Sequence, residues 1–137
     1  MTAGNDFRQA VDRNYEALHS LVNGDSAPIH EVWSQSDDVT AFLGFGGYEK
    51  GWQQVRERFD WVSRRFGGGE TRTTELSVYF SGDLGYTVEL EHRDTKVDGK
   101  PETFTLRVTH IYRREAGAWK VVHRHADFYQ ERQEQQG

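Results

Sequence analysis

The stretch from residue 102 to residue 127 reads ETFTLRVTHIYRREAGAWKVVHRHAD. It consists of two runs, Glu102–Arg114 and Ala118–Asp127, in which apolar and polar residues alternate. Side chains on a β-strand point to opposite faces in turn, so this alternation predicts two strands that are each covered on one face. Gly117 lies between the runs, and glycine readily adopts the backbone conformations of tight turns. The stretch therefore predicts a long antiparallel hairpin.

Two more alternating runs come earlier, roughly over Thr71–Phe80 and Leu84–Thr95. Gly82-Asp83 separates them, and Asp98-Gly99 joins the second run to the hairpin. An Asp-Gly pair between alternating runs indicates a hairpin, because the tight turn needs positive φ angles. Four consecutive strands of this length form an antiparallel meander, and the normal twist of strands curls such a sheet.

Before the meander, apolar residues recur at spacings of three and four, the period of an amphipathic helix. One such stripe is Phe7, Val11, Tyr15, Leu18 and Val22, and another is Trp52, Val55, Phe59, Val62 and Phe66. Between them, Ser26 and Pro28 indicate the start of a short second helix, and Val39–Leu43 is a predicted strand. Gly44–Gly51 is a predicted glycine-rich loop, and Gly67-Gly68-Gly69 is expected to end the third helix.

Three helices followed by a curled, mainly antiparallel sheet predict an α+β domain in which the helices cover one face. A helix laid across the concave face leaves a cone with an open end, and such a cone contains a pocket. The chain has 137 residues, the usual size of one domain. We therefore expect a single domain over residues 1–137, with frayed ends at residues 1–4 and 130–137.

The composition argues against several classes of protein. The net charge of −5 is the wrong sign for a nucleic-acid binder, which needs a basic patch. The absence of cysteine excludes disulfides, thiolate zinc sites and a thiol nucleophile. The mean hydropathy of −0.85 argues against a membrane span, and the first residues do not resemble a secretion signal. We expect a cytoplasmic protein with neither a nucleic-acid nor a membrane partner.

In the order of its elements and in three local motifs, the chain resembles the nuclear transport factor 2-like, or ketosteroid isomerase-like, superfamily, and specifically its SnoaL-like branch. The motifs are Trp33 before Ser36-Asp37-Asp38, the glycine-rich segment Gly44–Trp52, and the paired stretch Leu106–His125. The resemblance implies a cone-shaped fold and a homodimer formed through the outer face of the sheet. It does not imply one function, because this fold hosts isomerases, cyclases, epoxide hydrolases, dehydratases and non-catalytic binding or assembly domains.

Histidine is the side chain whose ordinary pKa lies nearest neutrality, so candidates for proton transfer begin with it. His110 is the first candidate base, with Arg124 beside it to anchor a substrate carboxylate or to donate to a developing enolate. His92 and Asp127, each near a strand end, are further candidates. The structural alternatives are a buried His110 hydrogen-bonded to a tyrosine such as Tyr15 or Tyr86, and Asp127 as a cap of the following turn.

Strand alternation also divides the side chains between an inner and an outer face. In the third long strand, Val108, His110 and Tyr112 share the more apolar face and are expected inside. In the second long strand the same reasoning places Tyr86 and His92 inside. The expected pocket lining is Tyr15, Trp33, Phe59, Tyr86, Val108, Tyr112 and Phe128.

The last strand has two alternatives. Its amphipathicity places Trp119, Val121, His123 and His125 inside, whereas the resemblance places Arg124, Ala126 and Phe128 inside. We follow the resemblance, which leaves a mixture of charges on the outer face that suits pairing across a dimer. The expected dimer face is Glu89, Glu91, Arg107, Thr109, Trp119, His123 and His125.

Two motifs suggest bound ions. His123 and His125 project to one side of a strand, with Asp127 nearby as an oxygen ligand, but polar contacts at an interface explain the pair as well. Gly44–Gly51 lacks the Lys-Ser/Thr of a phosphate-binding loop, and a plain turn into a helix explains it. We expect neither a metal nor a cofactor.

Three functions remain open. The first is an acid–base enzyme that isomerises, cyclises or hydrates a small organic carbonyl compound or acid. The second is a dimeric binding domain that holds a small acid through Arg124 and His110 without a reaction. The third is an assembly module that acts through the outer face of the sheet. Histidine and arginine on the expected inner face favour the first two.

Overall fold

A computed structural model describes residues 3–134 of the chain. The helices are α1 (Ala3–Val22), α2 (Ala27–Val32) and α3 (Trp52–Arg65). The strands are β1 (Thr40–Phe42), β2 (Glu49–Lys50), β3 (Phe66–Ser81), β4 (Leu84–Val97), β5 (Lys100–Glu115) and β6 (Ala118–Phe128). None of the helices in this range is long and apolar enough to cross a membrane.

The strands form a six-stranded sheet in the order β2-β1-β6-β5-β4-β3. Neighbouring strands are antiparallel except for β1 and β6, which are parallel. The helices pack on one face of the sheet, where Phe7 of α1 contacts the rings of Tyr112 and Trp119. Trp33 and Phe59 pack against each other in the same core. The predicted α+β arrangement of helices on a mainly antiparallel sheet is confirmed.

The segment between α3 and β4 differs from its prediction. The helix ends at Arg65, but the triple glycine belongs to β3 and does not form a separate turn. At Gly69 the φ angle is +143° and an added Cβ would overlap the carbonyl oxygen of Asp94 on β4. Only glycine permits this close approach of two backbones.

Two smaller differences concern the loop and the ends of the chain. The predicted loop Gly44–Gly51 contains the short strand β2, which pairs with β1. Ala3 and Gly4, expected to be frayed, belong to α1, while residues 130–134 have no regular secondary structure. Residues 1–2 and 135–137 lie outside the described range.

The prediction for the faces of β4 is wrong. The buried inner side chains are Thr87, Glu89, Glu91, Arg93 and Thr95, whereas Leu84 and Tyr86 are exposed. Opposite residues of an antiparallel pair share a face. Glu89 pairs with Val108 and Glu91 with Leu106, so the apolar inner face of β5 brings both carboxylates inside. Glu89 and Glu91, expected on a dimer face, are each 1% exposed.

A bulge in β6 explains why that strand has two plausible alternations. Ile111 pairs with His123, but the next residue, Tyr112, pairs with Val121. Val122 is therefore an extra residue that changes which side chains face inward. Trp119 and Val121 are buried before the bulge, and Arg124 and Ala126 after it. The assignment of Trp119 to the outer face is wrong, because neither alternative allowed for an irregular strand.

Candidate functional site

The helices and the sheet enclose a cavity of about 210 Å³. Its lining is mainly apolar and includes five phenylalanine rings. The lining residues are Leu21, Leu43, Gly44, Phe45, Phe59, Val62, Phe66, Arg93, Val97, Glu102, Phe104, Leu106, Arg124 and Phe128. Arg93, Arg124 and Glu102 are the charged members of this set, so these three side chains supply the charges for recognition inside the cavity.

Glu91 binds both arginines beneath the cavity. Arg124 donates two hydrogen bonds to it, from Nη1 to Oε2 at 2.7 Å and from Nη2 to Oε1 at 2.9 Å. Arg93 Nη2 donates to Oε1 at 2.8 Å. Burial would raise the pKa of Glu91, but attraction to Arg124 and Arg93 outweighs it and holds that pKa well below its ordinary value. Glu91 is therefore a carboxylate shared by two guanidinium groups.

Arg93 retains unused hydrogen-bonding capacity. Its side chain is 4% exposed, and its guanidinium lies over the ring of Phe66, 5.3 Å from the centroid. Its Nε–H is buried and has no hydrogen-bond partner within residues 3–134. Burial lowers the pKa of Arg93, and Glu91 opposes that shift. A buried donor without a partner is costly, so this group would gain from an acceptor in the cavity.

His110 lies behind Arg124. Its Nδ1 is 2.6 Å from Glu89 Oε1, and its Nε2 is 3.0 Å from Arg124 Nη1. A guanidinium can only donate, so Nε2 accepts from Arg124 and Nδ1–H donates to Glu89. In this arrangement both ring nitrogens of His110 are engaged within the protein. His110 is buried as predicted, but the structure does not place it among the cavity-lining residues.

A chain of hydrogen bonds continues from Glu89 to the surface. The hydroxyl of Tyr15 lies 3.1 Å from Glu89 Oε2 and 2.9 Å from Glu75 Oε1, and Arg8 pairs with Glu75. Burial, followed by the charges of Glu89 and Glu75, raises the pKa of Tyr15. The tyrosine expected to bond His110 directly therefore acts through Glu89.

Three other predicted site residues lie on the outer face. His92 sits between Thr74 and Thr105, at 3.0 Å and 3.1 Å, because the inverted faces of β4 turn it outward. Tyr86 is turned out for the same reason and lies beside the ring of Tyr79.

Asp127 pairs with Arg107 through two hydrogen bonds of 2.9 Å on the outer face. It neither reaches the cavity nor caps a turn.

The predicted pocket lining is found in part. Phe59 and Phe128 line the cavity, whereas Trp33 and Val108 are buried in the core beside it. Tyr112 is also core, and its hydroxyl accepts a hydrogen bond of 3.1 Å from Asn14.

Sequence reasoning missed the Glu91–Arg93 pair. The signal available was three charged residues at alternate positions, Glu89, Glu91 and Arg93, but an amphipathic reading assigns such residues to solvent.

Of the two motifs that suggested bound ions, the glycine-rich loop contributes Gly44 and Phe45 to the lining of the cavity, whereas the histidine pair lies elsewhere. His123 and His125 are on the outer face against the ring of Phe42, and Thr40 lies 2.7 Å from His123 Nδ1. Burial, together with the neighbouring His125, lowers the pKa of His123. The outer face also carries Thr109, which is half-buried.

Glu89, Glu91 and His110 bring three potential ligand atoms within 4.8 Å of one another. Arg124 bonds to Glu91 and His110 and so already supplies the cation of that cluster.

The model of the SnoaL-like domain matches residues 8–129 of the chain. The chain belongs to the SnoaL-like domain family. A search of curated proteins found no match.

Solved structures show the same fold in proteins of several kinds. One is a ketosteroid isomerase-like protein from Erwinia carotovora atroseptica, with a TM-score of 0.78, 13% identity and coverage of 93% of this chain and 96% of that one. A second is a candidate dehydratase of the nuclear transport factor 2-like family from Streptomyces avermitilis, with a TM-score of 0.77, 17% identity and coverage of 91% and 95%.

A third is a candidate calcium/calmodulin-dependent protein kinase type II association domain from Thiobacillus denitrificans, with a TM-score of 0.75, 22% identity and coverage of 90% and 94%. The SnoaL-like chain therefore has the nuclear transport factor 2-like fold, which these proteins share at low sequence identity.

Proposed function

We propose that this SnoaL-like domain binds a small organic acid in its cavity, with the carboxylate held by Arg93 and Arg124. The observation that carries the proposal is the buried, unpartnered Nε–H of Arg93 beside an otherwise apolar space. Arginine pairs with carboxylates through strong charge-assisted hydrogen bonds. An apolar cavity with a few converging polar groups is the usual form of a small-molecule site.

The charges near the cavity support an anionic ligand. Arg93 and Arg124 share the carboxylate of Glu91, while Glu89 turns away toward His110 and Tyr15. The buried charges at this side of the cavity are thus two cations and one balancing anion, whereas the lining carboxylate of Glu102 is exposed. A ligand carboxylate would supply the second anion without leaving a buried charge unpaired.

Calorimetric titration with benzoate and with its neutral counterpart benzamide tests the proposal. We expect benzoate to bind at least tenfold more tightly, and Arg93→Met to remove that preference. Arg93→Lys keeps the charge but lacks the Nε–H. Its preference for benzoate over benzamide should therefore lie between those of the wild type and Arg93→Met. The control is Arg64→Met, which removes an exposed arginine at the end of α3. Equal binding of the two compounds, or wild-type binding by Arg93→Met, would reject the acid site.

A second candidate function is acid–base catalysis on a small carbonyl compound or acid. The Glu89–His110 pair favours it, because a carboxylate that orients an imidazole is the arrangement of many general bases. His110 Nε2 would become available once Arg124 turned toward a ligand. The substitution His110→Gln should then abolish turnover while benzoate binding persists. Turnover that survived the substitution unchanged would eliminate this role.

We also propose that two copies of the chain pair through the outer face of the sheet. This face exposes Tyr79, Tyr86 and Ile111, an apolar patch of the kind that marks protein interfaces. The ion pair of Arg107 with Asp127 lies on the same side, so two copies related by a two-fold axis could match opposite charges. Sedimentation at increasing concentration should show a dimer, and a monomer at all concentrations would refute the pairing.

A further inference from the structure

We propose that Glu102 selects acids that carry a hydrogen-bond donor at the end remote from the carboxylate, so that the preferred ligand is a small aromatic acid with a para hydroxyl or amino group. This inference rests on the proposed acid-binding function. It adds two features of the ligand: a hydrogen-bond donor at the end remote from the carboxylate, and a flat ring between the two ends.

The register of β4 and β5 places Glu102 two residues along β5 from the position opposite Arg93. Arg93 pairs with Phe104, and Thr95 pairs with Glu102. Glu102 is therefore a diagonal neighbour of Arg93, and the Cα atoms of such residues are about 7–8 Å apart. Arg93 is buried, whereas Glu102 is exposed and still lines the cavity. The cavity thus runs from a buried cation to an accessible carboxylate.

Arg93 does not neutralise Glu102. Its ion pair is with Glu91, at 2.8 Å, on the deep side of the cavity. From the deep side of the cavity outward, the charge is therefore negative at Glu91, positive at Arg93 and negative again at Glu102. A carboxylate at Glu102 accepts hydrogen bonds and repels a second anion.

The walls between these two ends suit a flat ring. Phe45, Phe59, Phe66, Phe104 and Phe128 all line the cavity. Phe104 and Phe128 lie with ring centroids 5.5 Å apart, in the range of favourable aromatic pairs. A cavity of about 150 Å³ is known to hold benzene, so 210 Å³ accommodates a ring with two small substituents.

Titrations of benzoate, 4-hydroxybenzoate and terephthalate against the wild-type chain and Glu102→Gln test the inference. In the wild type, 4-hydroxybenzoate should bind about threefold to tenfold more tightly than benzoate, and terephthalate more weakly than benzoate, because Glu102 is solvent-screened. In Glu102→Gln the penalty for terephthalate should disappear and the advantage of the hydroxyl should shrink. The matched control is Glu16→Gln, the same substitution at an exposed site on α1, which should keep the wild-type order.

The outcomes separate this inference from the function on which it rests. If benzoate binds and the order of the three acids is the same in Glu102→Gln as in the wild type, Glu102 selects nothing and the acid site stands. If none of the three acids binds the wild type, both proposals fall. Because Glu102 is exposed, the variant should melt within a few degrees of the wild type, and circular dichroism checks this.

Discussion

The two faces of β4 are the reverse of what a half-buried strand usually shows. Its inner face carries Thr87, Glu89, Glu91, Arg93 and Thr95, and all five are buried. Its outer face carries Leu84, Tyr86, Val88, Leu90 and His92, of which Leu84 and Tyr86 are 55% and 39% exposed. Buried charged groups are tolerated when they are paired, and large exposed apolar residues that cluster are typical of interaction surfaces.

Pairing explains how the inner face is tolerated. Glu91 is bound by two arginines, and Glu89 is bound by His110 and Tyr15. These hydrogen bonds are 2.6 to 3.1 Å long. Burying such groups rarely stabilises a fold more than apolar packing would. The arrangement is better explained by what the cations at the cavity do than by stability.

The largest expected effect comes from removing the anion of the inner face. Glu91→Gln leaves Arg93 and Arg124 without their shared charge, and breaking a buried ion pair costs about 3–5 kcal/mol. The matched change on the outer face, Asp127→Asn, breaks the exposed pair with Arg107 and should cost less than about 1 kcal/mol. Urea unfolding of the two variants measures both. Equal losses would show that the inner pair is no more important than a surface pair.

A steric change at the inner face ranks next. A Cβ at Gly85 would lie 2.6 Å from the ring of Phe7 and 2.8 Å from the Cβ of Phe80. Overpacking of this kind costs about 1–3 kcal/mol, so Gly85→Ala should lower the free energy of unfolding by that amount. Gly4→Ala, where nothing lies within 4 Å of the new Cβ, is the control and should not destabilise. If the free energy of unfolding of Gly85→Ala equalled that of the wild type, α1 would not pack closely on β4.

Acid should weaken the inner face in a predictable direction. The pKa of Glu91 is lower in the folded chain than its ordinary value of about 4.3. The stability that Glu91 contributes is therefore present above that ordinary value and is lost as the pH falls further, by at most about 1.4 kcal/mol for each pH unit. Unfolding free energies between pH 5 and pH 3 should fall more steeply for the wild type than for Glu91→Gln. Parallel curves would contradict the assignment.

The outer face should show the smallest effect on folding. Tyr86→Ser removes an exposed side chain and should change monomer stability by no more than about 0.5 kcal/mol. It should nevertheless weaken dimer formation, because the ring lies in the proposed interface beside Tyr79. Sedimentation together with urea unfolding separates the two effects. A Tyr86→Ser variant with a lower free energy of unfolding and normal dimer formation would contradict the assignment of this side chain to the interface.

The sequence predicts the inner and outer faces of some strands correctly and those of others incorrectly. In β5 the alternation is clean, and Val108, His110 and Tyr112 are inside as expected. In β4 the buried carboxylates defeat the same reasoning, because their partners are distant in the sequence. Arg124 on β6 is 33 residues from Glu91, and His110 on β5 is 21 residues from Glu89. The bulge at Val122 leaves no compositional trace. Local patterns therefore predict the elements, while the charged cluster depends on pairings between distant residues.

The most direct test of the acid site is a crystal of the chain soaked with 4-bromobenzoate and measured at the bromine absorption edge. We expect one anomalous peak inside the cavity, near Glu102 and Phe45, with the carboxylate within hydrogen-bonding distance of Arg93 Nε and Arg124. Bromine at the buried end with the carboxylate turned to solvent, or a peak only on the outer face of the sheet, would contradict an acid site on the two arginines.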